Sequence, residues 1–360
     1  MVRLRSISIR NFRNIHAADV ELGPRLNVIS GGNGQGKTSF IEAVYLLATS
    51  KSFRATKPIE SIARGADIAS VRGRVTEDDL EREQSVGLRR GGRVARIDGK
   101  ATATLAEYAV TTPAVVFHPA GLALTAGPSA ERRRLMDRVA LYTDPTSLVA
   151  LEQYGTALKA RQKALVERGA TARDAEHWEA LMVEYGGRVM ASRARAVEKI
   201  ADVGGRAFKE IATPGLSMNI AYGPSASSVP SEYREALVKH RAADIRRGSA
   251  SIGPHRDDID LKMQSVPVRG AASQGEHRAL VLALKIAEIE AISEARGVRP
   301  MLLLDDVSSE LDVERTAALF KYLGTMPGQV YVTTTRPDLI DTKGIGAHRV
   351  DFVVRSGVIA

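Results

Sequence analysis

The chain has 360 residues, 44% hydrophobic and 26% charged, a balance that supports a sizeable core in two domains or one large domain with an attached lobe. Fifty-one Lys and Arg against 42 Asp and Glu give a formal net charge of +9, an excess that favours polyanions such as nucleic acid or a membrane surface. There is no cysteine, which excludes disulfides, thiolate zinc sites and thiol catalysis. No stretch approaches the ~20 apolar residues of a membrane span, and Met-Val-Arg-Leu-Arg at the start lacks the apolar run of a secretory signal. The expectation is a soluble cytoplasmic protein.

In chain order, Ile7-Ser-Ile9 and Leu26-Asn-Val-Ile29 read as short strands, the second ending at a glycine-rich turn. From Lys37 the period changes, and Phe40, Ile41, Val44, Tyr45, Leu47 and Ala48 fall on one helical face. Residues 70–98 read as β-hairpins with basic turns, including Arg89-Arg-Gly-Gly-Arg93, and Val115-Val-Phe117 as a strand stopped by His118-Pro119. Between about 128 and 250, Leu148, Leu151, Leu158 and Leu165 recur at helical spacing, which predicts amphipathic helices with breaks at Gly169, Gly186-Gly187 and Gly204-Gly205. Pro224 to Ser231 reads as a surface loop. Met301-Leu-Leu-Leu304, Val330 to Thr335 and Val350 to Val354 are strand candidates, the last before a Ser356-Gly357 turn. Strands alternating with helices at both ends predict an α/β core built from both termini, residues 1–120 with 298–360. Residues 121–297 form a mainly helical second lobe, and no heptad run is long enough for an extended coiled coil.

Gly31-Gly-Asn-Gly-Gln-Gly-Lys-Thr38 fits the P-loop spacing, and it follows a strand and opens a helix as that motif requires. Glycines let backbone N–H groups curl around phosphate oxygens, and the helix N-terminus adds a positive dipole. Gly31, Asn33, Gly34, Gly36, Lys37, Thr38 and Ser39 are the candidate ligands of ATP. Within that set Lys37 is directed at the β- and γ-phosphates and Thr38 at Mg²⁺. A P-loop needs a carboxylate at the end of a second buried strand, and Leu302-Leu-Leu-Asp305-Asp306 supplies it. Asp305 is the magnesium-side residue and Asp306 the candidate to polarise the attacking water, which makes Lys37 and Asp306 the candidate catalytic pair. Ser273-Gln-Gly-Glu276 has capping-box spacing, each side chain satisfying an N–H of the first helical turn.

The order of P-loop, helical insertion, Ser-x-Gly-x helix start, Asp-Asp strand and Ser309-Glu-Leu-Asp312 resembles the ABC-type ATPases. In that family a Leu-Ser-x-Gly-Gln signature opens a helix of one subunit and caps the γ-phosphate held by the other. Ser273 and Gly275, in the segment 272–278, match it, while Ala272 and Glu276 replace the Leu and Gln. The match extends to one branch. Ile9-Arg-Asn-Phe-Arg-Asn14, Lys51-Ser-Phe-Arg54, Arg132-Arg-Arg-Leu-Met-Asp137, Gly253-Pro-His-Arg-Asp-Asp258 and Leu303 to Asp312, with Arg315 and Leu319 after it, resemble the RecF family of bacterial recombination mediators. The resemblance implies an ABC-type head without a long coiled coil and a weak, DNA-stimulated ATPase that dimerises around ATP. It further implies binding to duplex DNA at single-strand/double-strand junctions, and partnership with RecR and RecO in loading RecA. Transporter ATPase subunits, the competing branch, usually carry a His where this chain has Thr333-Thr-Thr335-Arg336.

Candidate DNA contacts are the basic clusters Arg89, Arg90 and Arg93, then Arg132, Arg133 and Arg134, then Arg246 and Arg247. Aromatic residues make up 5% of the chain, which argues for duplex backbone binding over a single-strand stacking platform. Arg54 is read equally as a phosphate-reaching arginine or a surface loop residue. His255 and Arg256 are read as a structural ion-pair cluster with the adjacent Asp257 and Asp258.

Overall fold

A computed structural model describes the chain except residues 79, 170, 171, 173, 212–214, 307–327 and 341–347. The chain forms two compact units, Met1–Gly121 with Ile292–Ala360, and Leu122–Ala291.

Among the described residues, the first unit carries two six-stranded sheets. One is antiparallel, in the order β2-β1-β4-β5-β6-β7, from β1 (Val2–Phe12), β2 (Ile15–Glu21), β4 (Ile68–Glu77), β5 (Leu80–Arg89), β6 (Gly92–Ile97) and β7 (Lys100–Ala101). Its strands alternate buried and exposed residues, most regularly along β4, as expected of a sheet with one face on a core. The other runs β15-β14-β3-β13-β12-β8, from β3 (Leu26–Ser30), β8 (Ala114–Phe117), β12 (Met301–Leu304), β13 (Val330–Thr334), β14 (Arg349–Arg355) and β15 (Val358–Ile359). All its pairings are parallel except that of β14 with β15. β3, β8, β12 and β13 are buried at every position, which is why they read as unbroken apolar runs. β2 escaped the sequence reading because Ile15-His-Ala-Ala-Asp-Val-Glu21 carries few β-branched residues.

Helix α1 (Lys37–Thr49) touches strands of both sheets, and its Phe40, Ile41, Val44 and Leu47 join them in one core. It is buried all round rather than on one face, with Glu42, Ala43 and Leu46 also enclosed. A helix between two sheets has no solvent side, so an amphipathic pattern is not required of it.

After α2 (Leu105–Thr111) of the first unit, the second unit is built on α3 (Ala123–Ala126), α4 (Ser129–Thr143), α5 (Thr146–Arg168), α6 (Ala175–Ile211), α7 (Pro230–Arg247) and the start of α8 (Gln274–Arg296), with an antiparallel sheet β11-β10-β9. That sheet, β9 (Met218–Gly223), β10 (Asp258–Met263) and β11 (Val266–Pro267), was not foreseen in a helical lobe. Gly169 ends α5, but Gly186-Gly187 and Gly204-Gly205 lie inside α6 instead of breaking it. Close packing explains two of them: a Cβ on Gly186 would lie 3.0 Å from the Tyr233 ring, and one on Gly204 3.0 Å from Ile220. The buried stripe of α5 is Ser147, Ala150, Tyr154, Ala157, Arg161, Ala164 and Leu165, so Leu148, Leu151 and Leu158 only flank the core.

Arg161 is fully buried and holds three helices together. It donates to Glu179 of α6 at 3.0 Å, to Asp244 of α7 at 2.8 Å and to the Leu237 carbonyl at 3.1 Å. Removing the cation leaves two buried carboxylates short of a partner, so Arg161→Ala is expected to cost about 3–5 kcal/mol. Urea denaturation of the full chain checks this, and a loss under about 1 kcal/mol would contradict it.

Candidate nucleotide-binding site

The P-loop joins β3 to α1, and its shape depends on glycine. Gly31, Gly34 and Gly36 have φ of 151°, 76° and 122°, values other residues rarely adopt. A Cβ on Gly31 would also collide with the Val354 carbonyl of β14. The turn after β14 braces the loop from the same side: Ser356 N–H donates to the Gln35 side chain at 2.6 Å, and Gly357 N–H to the Gln35 carbonyl at 2.8 Å. From the turn between β1 and β2, Asn14 accepts from Ser39 Oγ at 2.8 Å and donates to the Gly34 carbonyl of the loop at 3.4 Å. Lys37 is 8% exposed and donates to the carbonyls of Gly31 and Gly32 at 2.8 and 2.9 Å.

Neighbouring strands bring the carboxylates to this loop. Asp305 and Asp306 follow β12, and Thr333 lies near the end of β13, the strand between β12 and β3. Thr38 Oγ1 donates to Asp305 Oδ1 at 2.9 Å, and Thr333 Oγ1 donates to the same oxygen at 2.8 Å. The Thr333 hydroxyl also accepts from Asp306 N–H at 2.9 Å, where Asp306 adopts a left-handed φ of 52°. Burial holds Asp305 above the ordinary carboxylate range, opposed by the two threonine hydroxyls, while Asp306 raises it further and Arg54 lowers it.

A cleft of about 710 Å³ opens over these groups, lined among others by Asn33, Lys37, Thr38, Arg54, Asp305 and Asp306. Every described lining residue belongs to the first unit. Gly34, Gly36 and Ser39 line it as well, so the structure gathers most of the expected ligands at one place. The glycine cradle, the buried Lys37 and the Thr38–Asp305 pair suit a nucleoside triphosphate with a hard, oxygen-binding cation.

Several contributors were not foreseen. Thr333 stands in a Thr run, and a polar residue near the end of a buried parallel strand lies where such sheets bind ligands. Glu42 is fully buried on α1, one charge within an apolar stretch, and accepts from Arg13 at 3.0 and 2.6 Å. Arg54, read from the sequence equally as a phosphate-reaching arginine or a surface loop residue, is 46% exposed and lines the cleft.

The capping box forms in both directions: Ser273 N–H donates to Glu276 at 2.6 Å, and Glu276 N–H to Ser273 Oγ at 3.3 Å. Ser273 is exposed and Gly275 half-buried at the start of α8. Ser308 to Asp312, Arg315 and Leu319 lie outside the described residues.

The basic clusters separate. Arg89 and Arg90 are exposed and Arg93 is half-buried at the β5–β6 turn, while Arg246 and Arg247 are exposed in the last turn of α7. Arg132 does not have the access a DNA contact needs: it is 4% exposed, bidentate to Asp258 at 2.6 and 3.0 Å, and bonded to the carbonyls of Leu124 and Gly127. Arg133 is half-buried on Ser129 and the Asp257 carbonyl, and Arg134 is exposed beside Glu131. Nor do His255 and Arg256 pair with the acids that follow them. His255 bonds Tyr154 at 2.7 Å and Arg256 the Ala250 carbonyl, while Asp257 takes Arg193 and Tyr222, and Asp258 takes Arg132.

The parallel sheet, the phosphate loop and the Asp305–Asp306 strand end define a P-loop head, and residues 3–344 match the RecF/RecN/SMC N terminal domain family. The Smc head domain of Pyrococcus furiosus superimposes with a TM-score of 0.57 at 18% identity, covering 100% of this chain and 95% of that one, a likeness of fold. The DNA replication and repair protein RecF of Geobacter sulfurreducens is 38% identical over 366 residues, 99% of each chain. RecF of Anaeromyxobacter sp. strain K is 39% identical over 373 residues, 100% of this chain and 99% of that one. A solved structure described as the recombination mediator protein RecF with ATP in the RecFOR pathway matches with a TM-score of 0.88 at 27% identity, covering 100% and 99%. The chain belongs to the RecF family.

Because its folded pKa is raised, Asp305 costs stability above that pKa and none below the unfolded value. Asp305→Asn should therefore raise Tm without nucleotide at neutral pH, while Mg²⁺-dependent nucleotide affinity falls. The Tm difference should close as pH drops through the raised pKa. A variant less stable than the native chain in differential scanning calorimetry at neutral pH would contradict this.

Proposed function

We propose that the chain is an ATP-dependent DNA-binding protein of recombinational gap repair. One observation carries the reading: Thr38, Asp305 and Thr333 meet on a single carboxylate oxygen beside the P-loop, the arrangement a triphosphate site needs. Lys37 and the loop N–H groups bind phosphate oxygens, and Arg54 faces the same cleft. Thr38 and Asp305 would hold Mg²⁺, which supplies charge neutralisation at the β- and γ-phosphates. Asp306 orients water and accepts its proton as the water oxygen bonds to Pγ and the bond to the bridging oxygen breaks. ADP and phosphate leave.

The described lining of the cleft comes from the first unit, and Ser273 is exposed at a helix start of fixed geometry. Both features support a site completed by a second copy, with Ser273 and Gly275 of one protomer capping the triphosphate of the other. ATP binding thus drives homodimerisation, the dimer clamps duplex DNA near single-strand gaps, and slow, DNA-stimulated hydrolysis releases it. Arg89, Arg90, Arg93, Arg133, Arg134, Arg246 and Arg247 are the proposed DNA contacts. RecR and RecO are the proposed partners in loading RecA, and the protein works in the cytoplasm on the nucleoid. The transporter-subunit alternative is not proposed, since the family is RecF.

Sedimentation velocity with ATP, ADP or no nucleotide, with and without duplex DNA, tests the clamp. A dimer under ATP and a monomer under ADP are expected. Ser273→Arg should bind ATP within about threefold of the native chain and fail to dimerise, and dimerisation unaffected by nucleotide would sink the reading. Backbone contacts predict that duplex affinity falls by about 10³-fold between about 50 and about 200 mM salt. Salt-insensitive binding in fluorescence anisotropy would exclude these arginines as the main contacts.

A further inference from the structure

The segment Lys51-Ser-Phe-Arg54 is tied down far more tightly than a surface loop requires. Ser52 Oγ donates to the buried Glu42 carboxylate at 2.6 Å. The same oxygen accepts the backbone N–H of Arg54 at 2.9 Å and of Ala55 at 2.7 Å. One hydroxyl therefore fixes the backbone on which the Arg54 side chain is mounted. Phe53 is held independently, edge-on to Tyr45 at 5.6 Å and against His118 at 5.1 Å between ring centres.

The side chain at the end of this anchored stretch is only lightly engaged. Arg54 Nη1 lies 3.4 Å from Glu42 Oε2, near the limit of a hydrogen bond. Arg13 already takes both Glu42 oxygens at 3.0 and 2.6 Å. Two guanidinium groups thus face one carboxylate, one positive charge more than Glu42 neutralises. Arg54 lines the cleft that holds Lys37, Thr38 and Asp305, and its charge bears on Asp305. A fixed backbone, a loosely held guanidinium and surplus charge suit an arginine waiting for an anion.

We infer that Ser52 is a positioning residue for nucleotide selection: its bridge from Glu42 to the Arg54 and Ala55 backbone holds Arg54 ready for the terminal phosphate of a triphosphate. The inference rests on the nucleotide-site reading above. Without the bridge, the loop must be ordered at the moment of binding, and the Arg54 contact weakens. ADP, lacking the third phosphate, loses little.

Calorimetric titration of the full chain with ATPγS and with ADP, both with Mg²⁺, tests the inference. Ser52→Ala should reduce the preference for ATPγS over ADP by about tenfold, the scale of one charge-assisted hydrogen bond, with ADP affinity held within about twofold. Arg54→Ala should show the same loss, and the double variant no more than either alone. Ser52→Thr, which keeps the hydroxyl, should restore the preference. Equal weakening of both nucleotides, or losses that add in the double variant, would overturn the anchor and leave the nucleotide site standing. A native chain that binds neither nucleotide would overturn both.

Discussion

The candidate site depends on one carboxylate oxygen. Asp305 Oδ1 accepts hydroxyls from Thr38 and Thr333, and so joins the helix after β3 to the ends of β12 and β13. The strand order makes this possible, because β3, β13 and β12 lie side by side and all point the same way. Thr333 has a second task, since its oxygen receives the Asp306 N–H and holds that residue in a left-handed conformation. A buried carboxylate and a strained neighbour both oppose stability, so these residues conform to the needs of the site and not of the fold.

Local spacing made much of this legible from the sequence. The P-loop, the Asp-Asp strand end and the Ser273–Glu276 box are each encoded within a few residues, and the structure forms all three. Strands β12 and β13 could be read because a strand buried on both faces is apolar throughout. What stayed hidden depends on partners far along the chain. Glu42 draws meaning from Arg13, Ser52 and Arg54, and Thr333 from Asp305. Gly186 and Gly204 read as helix breakers because nothing local announces the Tyr233 ring or Ile220. The Arg132 run read as a basic patch because Asp258, its partner, is 126 residues away.

That last case changes what the net charge of +9 means. Arg132, Arg161 and Arg193 are buried, each bidentate to one carboxylate or shared between two. These cations organise the interior of the second unit, linking helices through carboxylates that could not be buried alone. Exposed arginines stand elsewhere, among them the Arg89–Arg90 turn and the end of α7. An excess read from composition is therefore a poor map of the surface that a polyanion meets.

The brace from Ser356 and Gly357 onto Gln35 has a consequence for how the protein is made. Strand β3, which carries the phosphate loop, lies between β13 and β14, both more than 290 residues later in the chain. On the ribosome β3 therefore emerges with neither neighbour, and the whole of the second unit is synthesised before either arrives. At bacterial elongation rates of about 5–20 residues per second, that wait is roughly 15 seconds to a minute. Throughout it an apolar strand exposes both unpaired edges, a hazard for aggregation. The phosphate loop therefore gains its strand neighbours and its brace only when the last strands close the sheet.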